Sequence, residues 1–294
     1  MHLSPELLEL LACPGCEAGL EPDSNGLICA RCAAVFPVVE GIPVLLLSQK
    51  NPHREAEAAQ WDDQAETYET ERVQDPQYMA GVDCAVELLA PRPGGWTLDA
   101  GCGTGLTVRS FHTPAHRTLG LDLSLQSLLQ LRRRMSGAEG LHLVCGDLAA
   151  LPLRPGRFSR VLSANTLQHL PDASLRDKVL FHLARVAAPG ATVVVSAHHY
   201  SRPKRRAGWE REGPAGGQSG EVQWIHRFEH DEFHDLMARH LTVTRIYGAG
   251  FPLPYRFKLS PVMRRVERWA RTRGTWLDWA HMLVGVGRTP ESRS

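Results

Sequence analysis

The segment Leu98-Asp99-Ala100-Gly101-Cys102-Gly103-Thr104-Gly105 constrains the fold more than any other stretch, because it reads as a buried strand running into a glycine turn that opens a helix. Glycines at 101, 103 and 105 remove side chains from a sharp bend, so backbone N–H groups and a helix N-terminus can approach a ligand closely. In an open α/β sheet that position holds a nucleotide-like cofactor. Asp122 ends the next predicted strand, Thr118-Leu119-Gly120-Leu121-Asp122, about 20 residues on, where a carboxylate can accept both ribose hydroxyls. Asp147 ends a third, Leu141-His142-Leu143-Val144-Cys145-Gly146-Asp147. Taken singly, Asp122 also reads as a turn residue ahead of a helix capped by Ser124, and Asp147 as the start of a turn before Leu148. Cys102 likewise reads as filler among glycines. As a set, three carboxylates fall at strand ends on one edge of one sheet.

Hydrophobic periodicity predicts strands at 96–100, 117–122, 141–146, 158–164, 190–197 and 241–248, with a last strand near 281–287. Helices at 104–112, 124–135, 173–187 and 230–239 alternate with them, which makes an α/β fold: a mostly parallel sheet with helices on both faces. A polar linker, Ser48 to Arg54, leads into a helix from Glu55 to about Arg72, and a second helix runs from Pro76 to Leu89. The glycine-rich stretch Gly213 to Gly220 predicts a flexible loop. Met263, Val266, Trp269 and Ala270 fall at helical spacing and read as a buried stripe.

Three acidic strand ends after a G-x-G-x-G turn, in place of one after G-x-G-x-x-G, resemble the class I S-adenosylmethionine (SAM)-dependent methyltransferases, especially the small-molecule type related to quinone biosynthesis. The resemblance spans roughly residues 60 to 290. It implies a seven-stranded Rossmann-like sheet with an antiparallel final strand, for which Met282 to Gly287 is the candidate. By this resemblance Asp99 lies near the methionine moiety, Asp122 binds ribose and Asp147 contacts the adenine amino group. Gly101, Cys102, Gly103, Gly105, Leu123 and Leu148 complete the implied cofactor set. Asn165, after the fourth strand, is the polar contact on the cofactor side, and Gln168 and His169 are the catalytic candidates facing the acceptor. His169 can take a proton near neutral pH or can orient its loop through a backbone hydrogen bond. The helix carrying Trp61, Asp62, Ala65 and Tyr68 resembles the family's N-terminal lid, which makes Tyr68 a cofactor contact or a core aromatic. Asn165 is followed by Thr166-Leu167, not by the Pro-Pro-aromatic grip of exocyclic-amine methyltransferases, so oxygen, carbon, ring-nitrogen and thiol acceptors are favoured.

Near the N-terminus, Cys13-Pro14-Gly15-Cys16 and Cys29-Ala30-Arg31-Cys32 form two C-x-x-C knuckles. Four thiolates can close a tetrahedron around Zn2+ and leave no open position, so this is a structural metal site. A segment of about 50 residues has too small an apolar core to fold on that alone, and metal binding supplies the difference. Over residues 8 to 48 the knuckles and the Glu40-Gly41-Ile42-Pro43 turn resemble the small zinc-ribbon proteins that activate tRNA, rRNA and release-factor methyltransferases. The predicted division is a zinc ribbon over 1–48, a linker with N-terminal lid helices over 49–90, and a SAM-dependent methyltransferase domain over 91–294.

With 33 Lys and Arg against 32 Asp and Glu, the net charge is +1, and the whole chain is not a polyanion binder by charge. No apolar run approaches the roughly 18 residues of a membrane span. The remaining cysteines, Cys84, Cys102 and Cys145, sit where buried, reduced residues are expected. The adjacent His198 and His199 point to opposite faces of a strand and do not easily share an ion. The expectation is a soluble cytoplasmic enzyme, monomer or homodimer, acting on a small-molecule acceptor without a membrane. Two alternatives stay open: an RNA methyltransferase that docks structured RNA through its ribbon, and a non-catalytic SAM-binding assembly protein.

Overall fold

A computed structural model describes residues 3–24, 26–47, 58–63, 65, 72–216, 222–252 and 261–291. The N-terminal segment begins with one helical turn, Pro5–Leu8, followed by β1 (Leu20–Asp23), β2 (Gly26–Cys29) and β3 (Val35–Phe36), which form a three-stranded antiparallel sheet. Next comes a hairpin of β4 (Val38–Val39) and β5 (Ile42–Leu45). Its two turn residues, Glu40 and Gly41, have φ of 46° and 76°. Positive φ at both positions matches the twist of the flanking strands.

The remaining strands are β6 (Trp96–Ala100), β7 (Arg117–Asp122), β8 (Leu141–Gly146), β9 (Phe158–Ala164), β10 (Ala187–His198), β11 (Glu212–Gly216), β12 (Val222–His226), β13 (Thr242–Ala249) and β14 (Met282–Arg288). One sheet of nine strands has the order β13-β14-β10-β9-β6-β7-β8-β5-β4. Seven of these are the strands expected from the sequence, and β14 is antiparallel to both neighbours as the resemblance implies. The other two come from the N-terminal segment. β5 pairs in parallel with β8, Val44 opposite Cys145 and Leu45 opposite Gly146. An otherwise open sheet edge is thereby covered within the same chain.

The N-terminal segment holds the large domain a second time. The Ala12 N–H donates to the Pro152 carbonyl at 3.0 Å and the Arg154 N–H to the Leu10 carbonyl at 2.8 Å. Leu7, Leu10, Leu11, Leu27, Phe36 and Leu45 share one core with Val144, Leu151, Leu153 and Val186. Each such side chain contributes about 1.5–3 kcal/mol when buried, so the two parts stabilise one another.

Several expectations shift. The helix predicted over 104–112 is a single turn, Val108–Phe111. Gly103 and Gly105 hold φ of 51° and 89°, and the Thr107 hydroxyl is committed to Asp99 and makes no capping bond. Part of the glycine-rich stretch is β11, paired with β12, while 217–221 lies outside the described residues. In the helix Pro261–Arg271, Trp269 is 49% exposed and Glu267 is buried, because Glu267 accepts the Gly250 N–H at 2.6 Å. The apolar stripe read from spacing is thus buried only in part: Ala270 is buried, Val266 half-buried and Trp269 exposed, while the Met263 side chain lies outside the description. The helix Pro76–Leu89 matches its prediction, capped by Asp75, whose carboxylate accepts the Gln77 and Tyr78 N–H groups.

Candidate functional site

The four N-terminal thiols converge. Their sulfurs all lie within 4.8 Å of one another, with Cys13 to Cys32 at 3.7 Å and Cys16 to Cys29 at 3.4 Å. Zinc bonded at about 2.3 Å needs tetrahedral edges of about 3.8 Å, so the set fits the ion. The two knuckles repeat one backbone geometry. Each first cysteine donates its N–H five residues on (Cys13 to Ala18, 2.8 Å; Cys29 to Ala34, 2.9 Å) and accepts from four on (Glu17, 2.8 Å; Ala33, 3.1 Å). Glu17 and Ala33 both sit in the left-handed region, at φ of 60° and 57°. The Arg31 and Cys32 N–H groups point at the Cys29 sulfur, favouring its thiolate. Cys84, Cys102 and Cys145 are free and buried.

In the large sheet the strand order reverses between β6 and β9, since β6 leads to β7 on one side and β9 lies on the other. A crevice outside the carboxyl ends at such a reversal is where α/β sheets bind ligands. A half-open cleft lies there, lined mostly by apolar side chains with a few polar groups. Its wall brings together Gly101, Cys102, Gly103, Asp122, Leu123, Asp147, Leu148, Asn165 and His169.

Asp122 accepts the Gly103 N–H at 2.7 Å and the Ser124 N–H at 2.9 Å, one on each oxygen. Each oxygen keeps a second lone pair for a ligand hydroxyl. Burial raises its pKa. Asp147 caps the short turn after β8 by accepting the Ala149 N–H at 2.7 Å. A Cβ on Gly103 would meet no protein atom within 4 Å, so the turn leaves open space toward the cleft. At Gly101, by contrast, a Cβ would strike the Thr166 hydroxyl, so that glycine lets the two loops touch. Asn165, 4% exposed and with φ of 58°, shares its Oδ1 with Ser196. Its Nδ2 has no acceptor among the described residues. Open backbone, two acidic acceptors and an unused amide donor fit an adenosyl cofactor.

Three candidates lie off this wall. Asp99 is fully buried beneath it, accepts from Thr107, and has its pKa pushed up to about 7 by burial. Gly105 faces Leu131, which a Cβ would strike. Gln168, 1% exposed, stands behind His169: its Oε1 accepts the His198 N–H at 3.3 Å and its amide nitrogen lies 3.5 Å from His169 Nε2. His169 Nδ1 is 3.3 Å from the Trp224 carbonyl, which can only accept, so Nδ1 carries the proton and Nε2 the lone pair. Burial, then the charge of Arg72, pulls the His169 pKa down to about 4. Tyr68 lies outside the described residues.

Other wall residues are non-local in sequence. Tyr78 and Val82, one turn apart on the helix Pro76–Leu89, line the cleft with Leu106, Thr107 and Thr166. Helix 58–63 crosses its mouth: Trp61 meets His169 edge-on at 4.9 Å, and Asp62 accepts from the Ser124 hydroxyl and the Gln126 N–H. The helix carrying Trp61 and Asp62 is the one read from the sequence as a lid, whereas Tyr78 and Val82 were missed, and their i, i+4 spacing was the available signal.

A reversal-point crevice with acidic strand ends, fused to a four-thiol ribbon, defines a cofactor-binding α/β protein with a metal-stabilised module. Residues 97–190 match the methyltransferase domain family and residues 4–41 the Trm112p-like protein family, so the chain carries a methyltransferase domain joined to a Trm112p-like zinc ribbon. The chain is 34% identical over 89 residues to the 18S rRNA (guanine-N(7))-methyltransferase bud23 of Schizosaccharomyces pombe, covering 30% of this chain and 33% of that protein. It is 33% identical over 129 residues to the malonyl-[acyl-carrier protein] O-methyltransferase of Salmonella typhimurium, covering 44% and 49%. The chain thus spans half or less of these relatives' lengths. Among solved structures, it resembles a complex of the Haloferax volcanii Trm112 methyltransferase activator with a methyltransferase, at TM-score 0.54, 19% identity and coverage of 79% and 98%. It also resembles the N-methyltransferase NodS of Bradyrhizobium japonicum in complex with S-adenosyl-L-homocysteine, at TM-score 0.52, 14% identity and coverage of 74% and 89%. At these identities the likeness shows the methyltransferase fold.

Proposed function

We propose that this chain is a SAM-dependent methyltransferase that acts on a small-molecule acceptor and is stabilised by one structural Zn2+. The observation that carries the reading is the convergence of the glycine turn, Asp122, Asp147, Asn165 and His169 on one cleft. Bound SAM supplies an electrophilic methyl group on a sulfonium. The chain's own residues hold, orient and exclude water. Asp122 takes the ribose hydroxyls, Asp147 with Leu148 and Leu123 frames the adenine, and Asn165 lies at the boundary between cofactor and acceptor. His169 borders the acceptor, its ring held at Nδ1 by the Trp224 carbonyl and at Nε2 by the Gln168 amide, which makes Gln168 a positioning residue. Methyl transfer is an in-line displacement, so alignment contributes more than a strong base.

The ribbon over 1–48, the linker and lid over 49–90 and the catalytic domain over 91–294 work as one unit in this reading. Its free thiols suit a reducing, cytoplasmic setting. Among the described residues no helix is long and apolar enough to cross a membrane. The likeness to an rRNA methyltransferase keeps RNA as the second acceptor class.

The test is labelled SAM incubated with the protein and a cell extract split into metabolite, protein and RNA fractions. Label in the metabolite fraction supports the proposal; label confined to RNA overturns its acceptor. Asp122→Ala is expected to weaken SAM binding by about 1–3 kcal/mol through lost hydrogen bonds, read by calorimetry. Unchanged affinity would remove Asp122 from the site.

A further inference from the structure

We propose that the helix Pro261–Arg271 and the turn that follows it form a docking surface for an anionic lipid bilayer. The inference goes beyond the methyltransferase reading and does not depend on it.

The helix is anchored by one face and presents the other. On the inward side Glu267 accepts the Gly250 N–H, and Arg271 donates to the Ala80 carbonyl at 3.1 Å and meets Glu87 at 3.2 Å. Ala80 and Glu87 lie two turns apart on one face of the helix Pro76–Leu89, and the cleft-wall residues Tyr78 and Val82 lie on the opposite face. The helix Pro261–Arg271 therefore rides on the back of the cleft wall.

Its outward face is apolar along the middle. Val262 is 64% exposed, and Trp269, two turns on, is 49% exposed. In the 3-10 segment Gly274–Trp279, Trp276 is 42% exposed and meets Trp269 edge-on, with ring centres 6.2 Å apart. Residues three apart eclipse in a 3-10 helix, so Trp279 extends the row past Trp276. Arginines border this row. Arg273 Cζ lies 4.9 Å from the centre of the Trp269 ring, Arg202 and Arg206 lie 5.8 and 5.7 Å from that of Trp279, and Arg265 and Arg268 are exposed on the helix itself.

Charge selects the occupant. Residues 261–273 hold five arginines against one acid, Glu267, which is buried and committed to Gly250. The chain's net charge of +1 conceals that concentration. Whole-chain charge and long apolar runs, which set the expectation of an enzyme without a membrane, do not sense a short surface helix. Tryptophan and valine enter the interfacial layer of a bilayer while arginines beside them meet lipid phosphates. At 11 residues the helix lies on such a surface and does not span it. Single-stranded nucleic acid is the other polyanion for a basic aromatic surface, but it stacks bases on ring faces along a groove. Here Arg273 lies over the Trp269 ring, and Val262, the most exposed of the row, offers a base neither a stacking face nor a hydrogen bond.

The experiment co-sediments the full chain with vesicles of phosphatidylcholine alone or with about one third phosphatidylserine. Binding is expected to be about tenfold or more tighter to the anionic vesicles and to weaken as salt rises. Trp269→Ser with Trp276→Ser, and separately Arg265→Gln with Arg273→Gln, should each weaken that binding about tenfold. All four side chains are exposed, so the thermal midpoint should hold. Arg265→Lys with Arg273→Lys, which keeps the charge, should bind vesicles as the wild type does. Equal binding to neutral and anionic vesicles, no sedimentation with either, or anionic binding unchanged in both double variants would each overturn the proposal. Binding of poly(U) that the same variants abolish, with no retention on vesicles, would overturn it in favour of nucleic acid. Vesicle binding needs no cofactor, so its outcome stands apart from that of the methyltransferase reading.

Discussion

At the scale of single residues, the carboxyl of Asp99 stands out because it is fully buried beneath the glycine turn with one oxygen bonded to Thr107 and the other without a partner among the described residues. Burial raises its pKa from 3.8 to about 7. A carboxyl raised in the folded state binds more protons folded than unfolded between those values, so its stabilising contribution is complete below about pH 4 and is lost as pH rises through 7. The wild-type protein without ligand should therefore lose roughly 2–4 kcal/mol relative to Asp99→Asn between pH 4 and pH 8. Denaturation midpoints of both proteins across that range check it, and parallel pH profiles would remove the assignment. Gly101, Gly103, Asp122 and Asp147 were legible in the sequence because strand ends and turn chemistry are local. The fate of Asp99 was not, because whether a strand-end carboxylate faces a cleft or the core depends on Thr107 and on what covers the turn. The same holds for Gln168, whose amide is turned by the His198 N–H from a different strand.

At the scale of elements, the hairpin β11–β12 is what the sequence reading passed over, since its glycines and the polar residues around them mimic an open loop. Its position is fixed from outside the hairpin. His226, 3% exposed, bonds Glu212 at 2.9 Å through Nδ1 and Glu232 on the helix His230–Ala238 at 2.8 Å through Nε2, and Arg211 meets Glu232 at 2.7 Å. Burial alone would raise the Glu232 pKa, but the bonds from His226 and Arg211 outweigh it and bring it down to about 2. The lowered pKa means that this stabilisation is present above the unfolded value of 4.5 and is lost as pH falls through 2. Glu232→Gln should cost about 1–3 kcal/mol at pH 7, and the difference from wild type should shrink steadily below pH 4. Because the hairpin supplies the Trp224 carbonyl to His169, the same variant should also lower acceptor turnover while leaving SAM affinity in place. Urea titrations at pH 7 and pH 3, paired with cofactor calorimetry, separate these effects. A cofactor affinity that falls along with stability would show that the hairpin supports the whole cleft, not the His169 side alone.

At the scale of the whole molecule, the ribbon and the cleft form one mechanical unit through the segment 147–151. That segment carries Asp147 and Leu148 into the cleft wall. Upstream, β5 is laid against β8 up to Gly146, the residue before Asp147. Downstream, Pro152 and Arg154 are tied to Ala12 and Leu10, and the next residue after Ala12 is the metal ligand candidate Cys13. The cofactor wall is thus gripped at both ends by a module whose own apolar core is too small to hold it without a metal. Two sites linked through one element must affect each other equally: if zinc tightens SAM binding, SAM must tighten zinc retention by the same factor. Cys16→Ser, or removal of zinc with a chelator, should lower the thermal midpoint and weaken SAM binding by about 1–3 kcal/mol, and saturating SAM should raise the zinc affinity, read by equilibrium competition with a chelator, by the same factor. Zinc content, thermal melts and calorimetry on the same preparations measure all three. If zinc affinity is the same with and without SAM, and SAM affinity survives the loss of zinc, the clamp around 147–151 stabilises the fold without reaching the cofactor site.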